Sequence, residues 1–147
     1  MDNDILVQEH LNSIESHLKE LDLLNNMPFN DYKKNIIAQR FSERTLHLMI
    51  EEMLHTAETI INGKQFRQPS SHDDAFTILF EHKIIPENFH QTAIDIANFG
   101  KRLIHDYKDL KADITFTVVK NGPNDIRLFV KLIRRWLNAD NILEQFS

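Results

Sequence analysis

Arg102 and His105 stand three residues apart, a spacing that puts both side chains on one face of a helix. Histidine titrates near neutrality and can take the proton from a ribose 2′-hydroxyl. Arginine presents a planar fork that binds phosphate oxygens and offsets the charge that builds in a transition state. Together they suit cleavage of an RNA phosphodiester, which supplies its own nucleophile and therefore requires no metal. Asp95 and Asn98 extend the same strip by the helical wheel. Tyr107, two residues past His105, points roughly 160–200° away on a regular helix and so toward the core side. Either the helix ends near Asp106, or Tyr107 serves a different surface, such as a dimer interface.

Other constellations carry less. Glu52-Met53-Leu54-His55 and Glu87-Asn88-Phe89-His90 have the Glu-x-x-His spacing of di-iron bundles, but both pairs lie off the apolar stripes that would aim them inward. His47, Glu51 and His55, at successive spacings of four, could grip one divalent ion on a helix surface. Arg127, Lys131, Arg134 and Arg135 form a basic stripe, either a solvated face or a contact for an RNA backbone or an acidic partner protein. There is no Gly-rich phosphate loop and no G-x-S-x-G motif, so this chain is not expected to carry nucleotide chemistry itself. Neither a cofactor nor a resident metal is expected.

The elements that must position these residues read as helices. The 147 residues fit a single domain, and 41% apolar content suits a packed core. With no cysteine, disulfides and cysteine zinc sites are excluded. Seventeen basic against 22 acidic side chains leave a net charge of −5, which argues against strong non-specific binding to nucleic acid or anionic membrane. A local basic stripe could still bind phosphate; neither DNA nor membrane is an expected partner. The acidic start Met1-Asp2-Asn3-Asp4 does not suit a signal peptide, and no apolar run approaches membrane-spanning length. A cytoplasmic location is the expectation.

Val7, Leu11, Ile14, Leu18 and Leu21 predict a first helix over Asp4 to Asn25. A second should run from Asp31 to Asn62 on Leu46, Met49, Ile50, Met53, Ala57, Ile60 and Ile61. Ile37, Phe41 and Leu48 fall nearly opposite that stripe, and a helix of ~48 Å is long for a domain with a radius of gyration of ~15 Å. Part of this helix is therefore expected to pack on a second copy of the chain. Ser70 or Ser71 should cap a third helix, with Asp73 and Asp74 in its first turn. Pro86 should open a fourth, with its stripe on Phe89, Ala93, Ile96, Gly100, Leu103 and Tyr107. Residues 111–122 read as a short helix or irregular connection, and Pro123 as the start of a fifth helix carrying Phe129, Ile133, Trp136 and Leu137. The expected fold is all-α: one four-helix-bundle-like domain over residues 1–147 with one or two additional short helices.

Asn98-Phe99-Gly100-Lys101-Arg102-Leu103-Ile104-His105-Asp106-Tyr107 resembles the signature of the HepT-like family, an arginine followed after four to six residues by His-x-Tyr. Ser70-Ser71-His72-Asp73-Asp74-Ala75-Phe76, then Leu79 and Ile84-Ile85-Pro86, resembles the segment before it, and the long second helix with Glu51 and Glu52 also fits. The resemblance spans most of the chain and is nearest to the YutE-like branch. It implies an all-helical bundle, usually a homodimer. It also implies a metal-independent ribonuclease toxin held by a small nucleotidyltransferase antitoxin of the MntA type, which adds AMP to the signature tyrosine, here Tyr107. His105 and Tyr107 match the motif. The family's commonest spacing puts its arginine at position 100, which is Gly100 here, while Arg102 lies closer to His105. Two functions stay open: an endoribonuclease using Arg102, His105 and Tyr107, or a catalytically silent helical dimer that serves as an interaction module.

Overall fold

The computed structural model describes residues 2–105 and 110–146. Among these, every regular element is helical. Helix α1 (Asp2–Leu21) buries the expected stripe of Val7, Leu11, Ile14, Leu18 and Leu21, then tightens into a 3-10 turn at Asp22–Leu24.

The expected second helix is two. Helix α2 (Phe29–Lys34) stops at Asn35, whose backbone is extended (φ −110°, ψ 95°) and whose side chain accepts a 3.0 Å hydrogen bond from the Ala38 amide. Asn35 is thus the N-cap of α3 (Ile36–Gly63), satisfying a donor that a helix start leaves orphaned. Gln39 completes the break by donating from Nε2 to the carbonyls of Tyr32 and Lys33, both at 3.0 Å. Tyr32 is fully buried, and its hydroxyl lies 2.7 Å from Ser42 Oγ. Burial raises the phenol's pKa above its ordinary value.

Ser71 caps α4 (His72–Glu81) by accepting from the Asp74 amide at 3.1 Å. After Ile84 and Ile85, both buried, α5 (Glu87–His105) begins directly behind Pro86. Its inner face is Phe89, Ala93, Ala97, Gly100 and Leu103.

The last expectation needs correction. Helix α6 (Ala112–Phe146) runs unbroken through residues 111–122 and holds Pro123 in its interior. A proline there forfeits the bond to the Val119 carbonyl and ordinarily ends or bends a helix. Here Thr115, Val119, Pro123, Ile126, Phe129 and Ile133 form one buried stripe across the proline, so packing offsets the lost bond. The β-prone Ile114–Val119 run is held helical by tertiary contacts. Phe116 packs its ring against Phe29 and Tyr32 at 5.3 and 5.2 Å, and Lys120 donates to the carbonyls of Leu24 and Asn25 at 2.9 and 2.8 Å.

The result is four long helices, α1, α3, α5 and α6, with two short ones. Helix α3 lies at the centre and touches all the others, most extensively α1. One apolar cluster draws on every helix. No described helix is long and apolar enough to cross a membrane.

The contact that sets α5 against α3 is close. A Cβ added at Gly100 would sit 2.7 Å from Ile50 Cγ2, inside any real carbon contact. That methyl hangs on a β-branched side chain with little rotamer freedom. Gly100→Ala should therefore cost ~1–3 kcal/mol in overpacking, against about 1 kcal/mol regained in helix propensity. The expected outcome in urea unfolding is a net loss of stability that disappears when the substitution is made in an Ile50→Ala background. Equal costs in both backgrounds would show that the helices do not meet this way.

Candidate functional site

Gly100 turned inward fixes the rotation of α5 and sends Asp95, Asn98, Arg102 and His105 to the exposed face. Arg102 and His105 occupy the last turn, where the helix dipole favours cations. Among the described residues, neither has a hydrogen-bond or ion-pair partner. Tyr107 lies outside the described residues.

The acidic neighbours of this face are engaged elsewhere. Asp73 on α4 takes Lys101 Nζ at 3.2 Å and, with the Asn98 amide turned to satisfy both groups, Asn98 Nδ2 at 3.1 and 3.0 Å. Its neighbour Asp74 is gripped by Arg67 at 2.7 and 2.8 Å and by the Ser70 amide at 2.9 Å, while Arg67 also donates to Glu81 at 3.0 Å. Arg67 first, then the Ser70 N–H, holds the Asp74 carboxyl well below the usual carboxylate range. The same pairing raises the Arg67 guanidinium. This network anchors the start of α4, and Asp73 passes that anchoring to α5.

A groove of about 280 Å³ lies between α5 and α6, walled by Asp95 and Phe99 on one side and by Thr117, Asn121 and Asp125 on the other. Asp95 and Asp125 bring two carboxylates to this groove, and neither Arg102 nor His105 lines it. An anionic ligand is therefore disfavoured in the groove itself.

The expected basic stripe on α6 is divided. Arg127 pairs with Asp22 at 3.3 Å, and Arg134 binds Gln8, Asn12 and Glu15 on α1. These two arginines clamp α6 to α1 and to the 3-10 turn that follows it. Lys131 is exposed in the groove between α1 and α6, and Arg135 is exposed one turn on, next to Trp136 and Ile85. Two of the four cations are thus engaged by α1 and the turn after it, and two are exposed.

Nor does the structure join the two Glu-x-x-His pairs. His90 stacks on Phe80 with centroids 4.5 Å apart and lies 2.9 Å from Thr77 Oγ1, which makes it a packing residue. Glu87 is exposed. His47 Nε2 is 3.2 Å from Glu51, within ion-pair distance but without hydrogen-bond alignment. Glu52 and His55 instead meet His10, a residue of α1 that no spacing in the sequence connects to them.

Comparison with known proteins places this geometry. The family model described as ribonuclease HepT-like matches residues 7–133. The chain belongs to the ribonuclease HepT-like family. The relatives of this HepT-like chain include YutE of Bacillus subtilis, 28% identical over 104 residues that cover 71% of this chain and 72% of that one. The solved structure of YutE, described as a cytosolic protein, superposes with a TM-score of 0.81 at 23% identity, covering 93% of this chain and 92% of YutE. The tRNA nuclease HepT of Aphanizomenon flos-aquae is 20% identical over 133 residues, 90% of each chain. A tri-AMPylated Shewanella oneidensis HEPN toxin, solved in complex with an MNT antitoxin, matches with a TM-score of 0.80 at 21% identity, over 88% of this chain and 96% of that one.

Gly100 is the position at which the resemblance to the HepT-like signature would put an arginine. The contact with Ile50 explains why position 100 has no room for a side chain in this chain. The only arginine of the signature segment is Arg102, on the exposed face beside His105.

Proposed function

We propose that this chain is a metal-independent endoribonuclease, the toxin of a cytoplasmic toxin–antitoxin pair whose antitoxin is a nucleotidyltransferase. The observation that carries the reading is the exposed pair Arg102–His105, unengaged by described neighbours, at the C-terminal end of α5 in a ribonuclease HepT-like chain. His105 is the general acid or base. It accepts the ribose 2′-hydroxyl proton as the 2′-oxygen bonds to phosphorus, or delivers a proton to the departing 5′-oxygen. Arg102 binds the phosphate oxygens whose charge grows in that step. Lys131 and Arg135, the exposed members of the α6 stripe, give weaker backbone contacts. Tyr107, in the His-x-Tyr motif, is a site residue and the acceptor of AMP from the antitoxin; the tri-AMPylated toxin of similar fold supports AMP addition as such.

The active form is a homodimer. Leu23 and Ile37 are 79% and 78% exposed, and they border an apolar groove completed by Met27 and Phe41. Burying such residues against a second copy contributes ~1.5–3 kcal/mol per large side chain. A second reading, a silent interaction module, is favoured by Gly100, where the family's usual arginine is missing.

Wild-type protein is expected to cleave cellular RNA in the presence of a chelator, and His105→Ala to be slower by about 10²–10⁴-fold. Two inert proteins at high concentration would decide for the interaction module. Ile37→Glu should shift the species measured by light scattering from dimer to monomer; a wild-type monomer would remove the dimer from the account.

A further inference from the structure

His10, Glu52 and His55 form a cluster that the proposed ribonuclease chemistry does not use. Glu52 and His55 share a face of α3 by their i, i+3 spacing, and His10 meets them from α1. His10 Nδ1 lies 2.7 Å from Glu52 Oε2, and the rings of His10 and His55 stand 5.7 Å apart, centre to centre. One ligand atom from each residue can be chosen so that all three lie within 4.8 Å of one another. His10 and Glu52 are part-buried in the most extensive helix contact of the fold. The ring nitrogens of His55 have no hydrogen-bond partner among the described residues.

Two imidazoles and a carboxylate are a donor set for a borderline-soft divalent ion such as zinc. Zinc–ligand distances of about 2.0–2.2 Å put tetrahedral donors about 3.3–3.6 Å apart. Donors within 4.8 Å reach that spacing by side-chain rotation, while the His10–Glu52 contact opens by less than an ångström. We propose that His10, Glu52 and His55 bind one transition-metal ion of the zinc class, which fastens α1 to α3 and keeps a coordination position for water. The site is separate from the α5 strip. Ile50 marks the side of α3 that faces α5, and Glu52 and His55 lie roughly 200° and 140° around the helix from it.

The test is calorimetric titration of the metal-stripped protein with zinc chloride, alongside the absorption spectrum of the cobalt(II) form. One zinc per chain is expected, with the intense visible bands of four- or five-coordinate cobalt. His10→Ala and the exposed-site variant His55→Ala should each weaken binding by at least about tenfold. His47→Ala, which removes the competing His47–Glu51–His55 arrangement on the surface of α3, should leave it unchanged. Failure of wild type to bind zinc, binding that survives both His10→Ala and His55→Ala, or loss of binding in His47→Ala would overturn the proposal.

Discussion

Where α3 and α5 cross, the space that a methyl on Gly100 would take is already filled by Ile50 Cγ2. Much follows from that approach. Packing at interior density leaves α5 no freedom to rotate, because any residue larger than glycine at the crossing would force the helices apart. With Gly100 inward, residues two and five positions on must face outward, and those are Arg102 and His105. The same contact thereby presents Arg102 to solvent beside His105. The salt-bridged start of α4, held by Arg67 and relayed through Asp73, ties the strip from its other side.

The helices legible in the sequence were those whose evidence is local. The stripe of α1, the serine cap of α4 and the inner face of α5 each follow from 3.6-residue periodicity or from a capping side chain. Two features escaped for opposite reasons. The break at Asn35 is local, but apolar residues lie on both sides of it, Tyr32 before and Ile36 and Ile37 after, with no proline or glycine to mark the cap. The continuity of α6 across Pro123 is tertiary: Phe116 against Tyr32 and Lys120 on the turn after α1 come from far along the chain, and together they outweigh β-propensity and proline.

The site divides along the same line. That Arg102 and His105 share an exposed face was legible because a helix face is a spacing rule. The α6 stripe was read correctly as basic, yet its partners, Glu15 on α1 and Asp22 in the 3-10 turn after it, are far along the chain, so two of its four cations are structural. The His10–Glu52 contact joins residues 42 positions apart, a separation at which no spacing rule operates.

In the proposed reaction Arg102 is the cation that binds the phosphate beside His105. This role is tested most directly by single-turnover RNA cleavage with Arg102→Ala and Arg102→Lys. The account predicts a rate lower by about 10²–10³-fold for alanine, with partial recovery for lysine, which keeps the charge but not the fork. Cleavage by Arg102→Ala at the wild-type rate would contradict it.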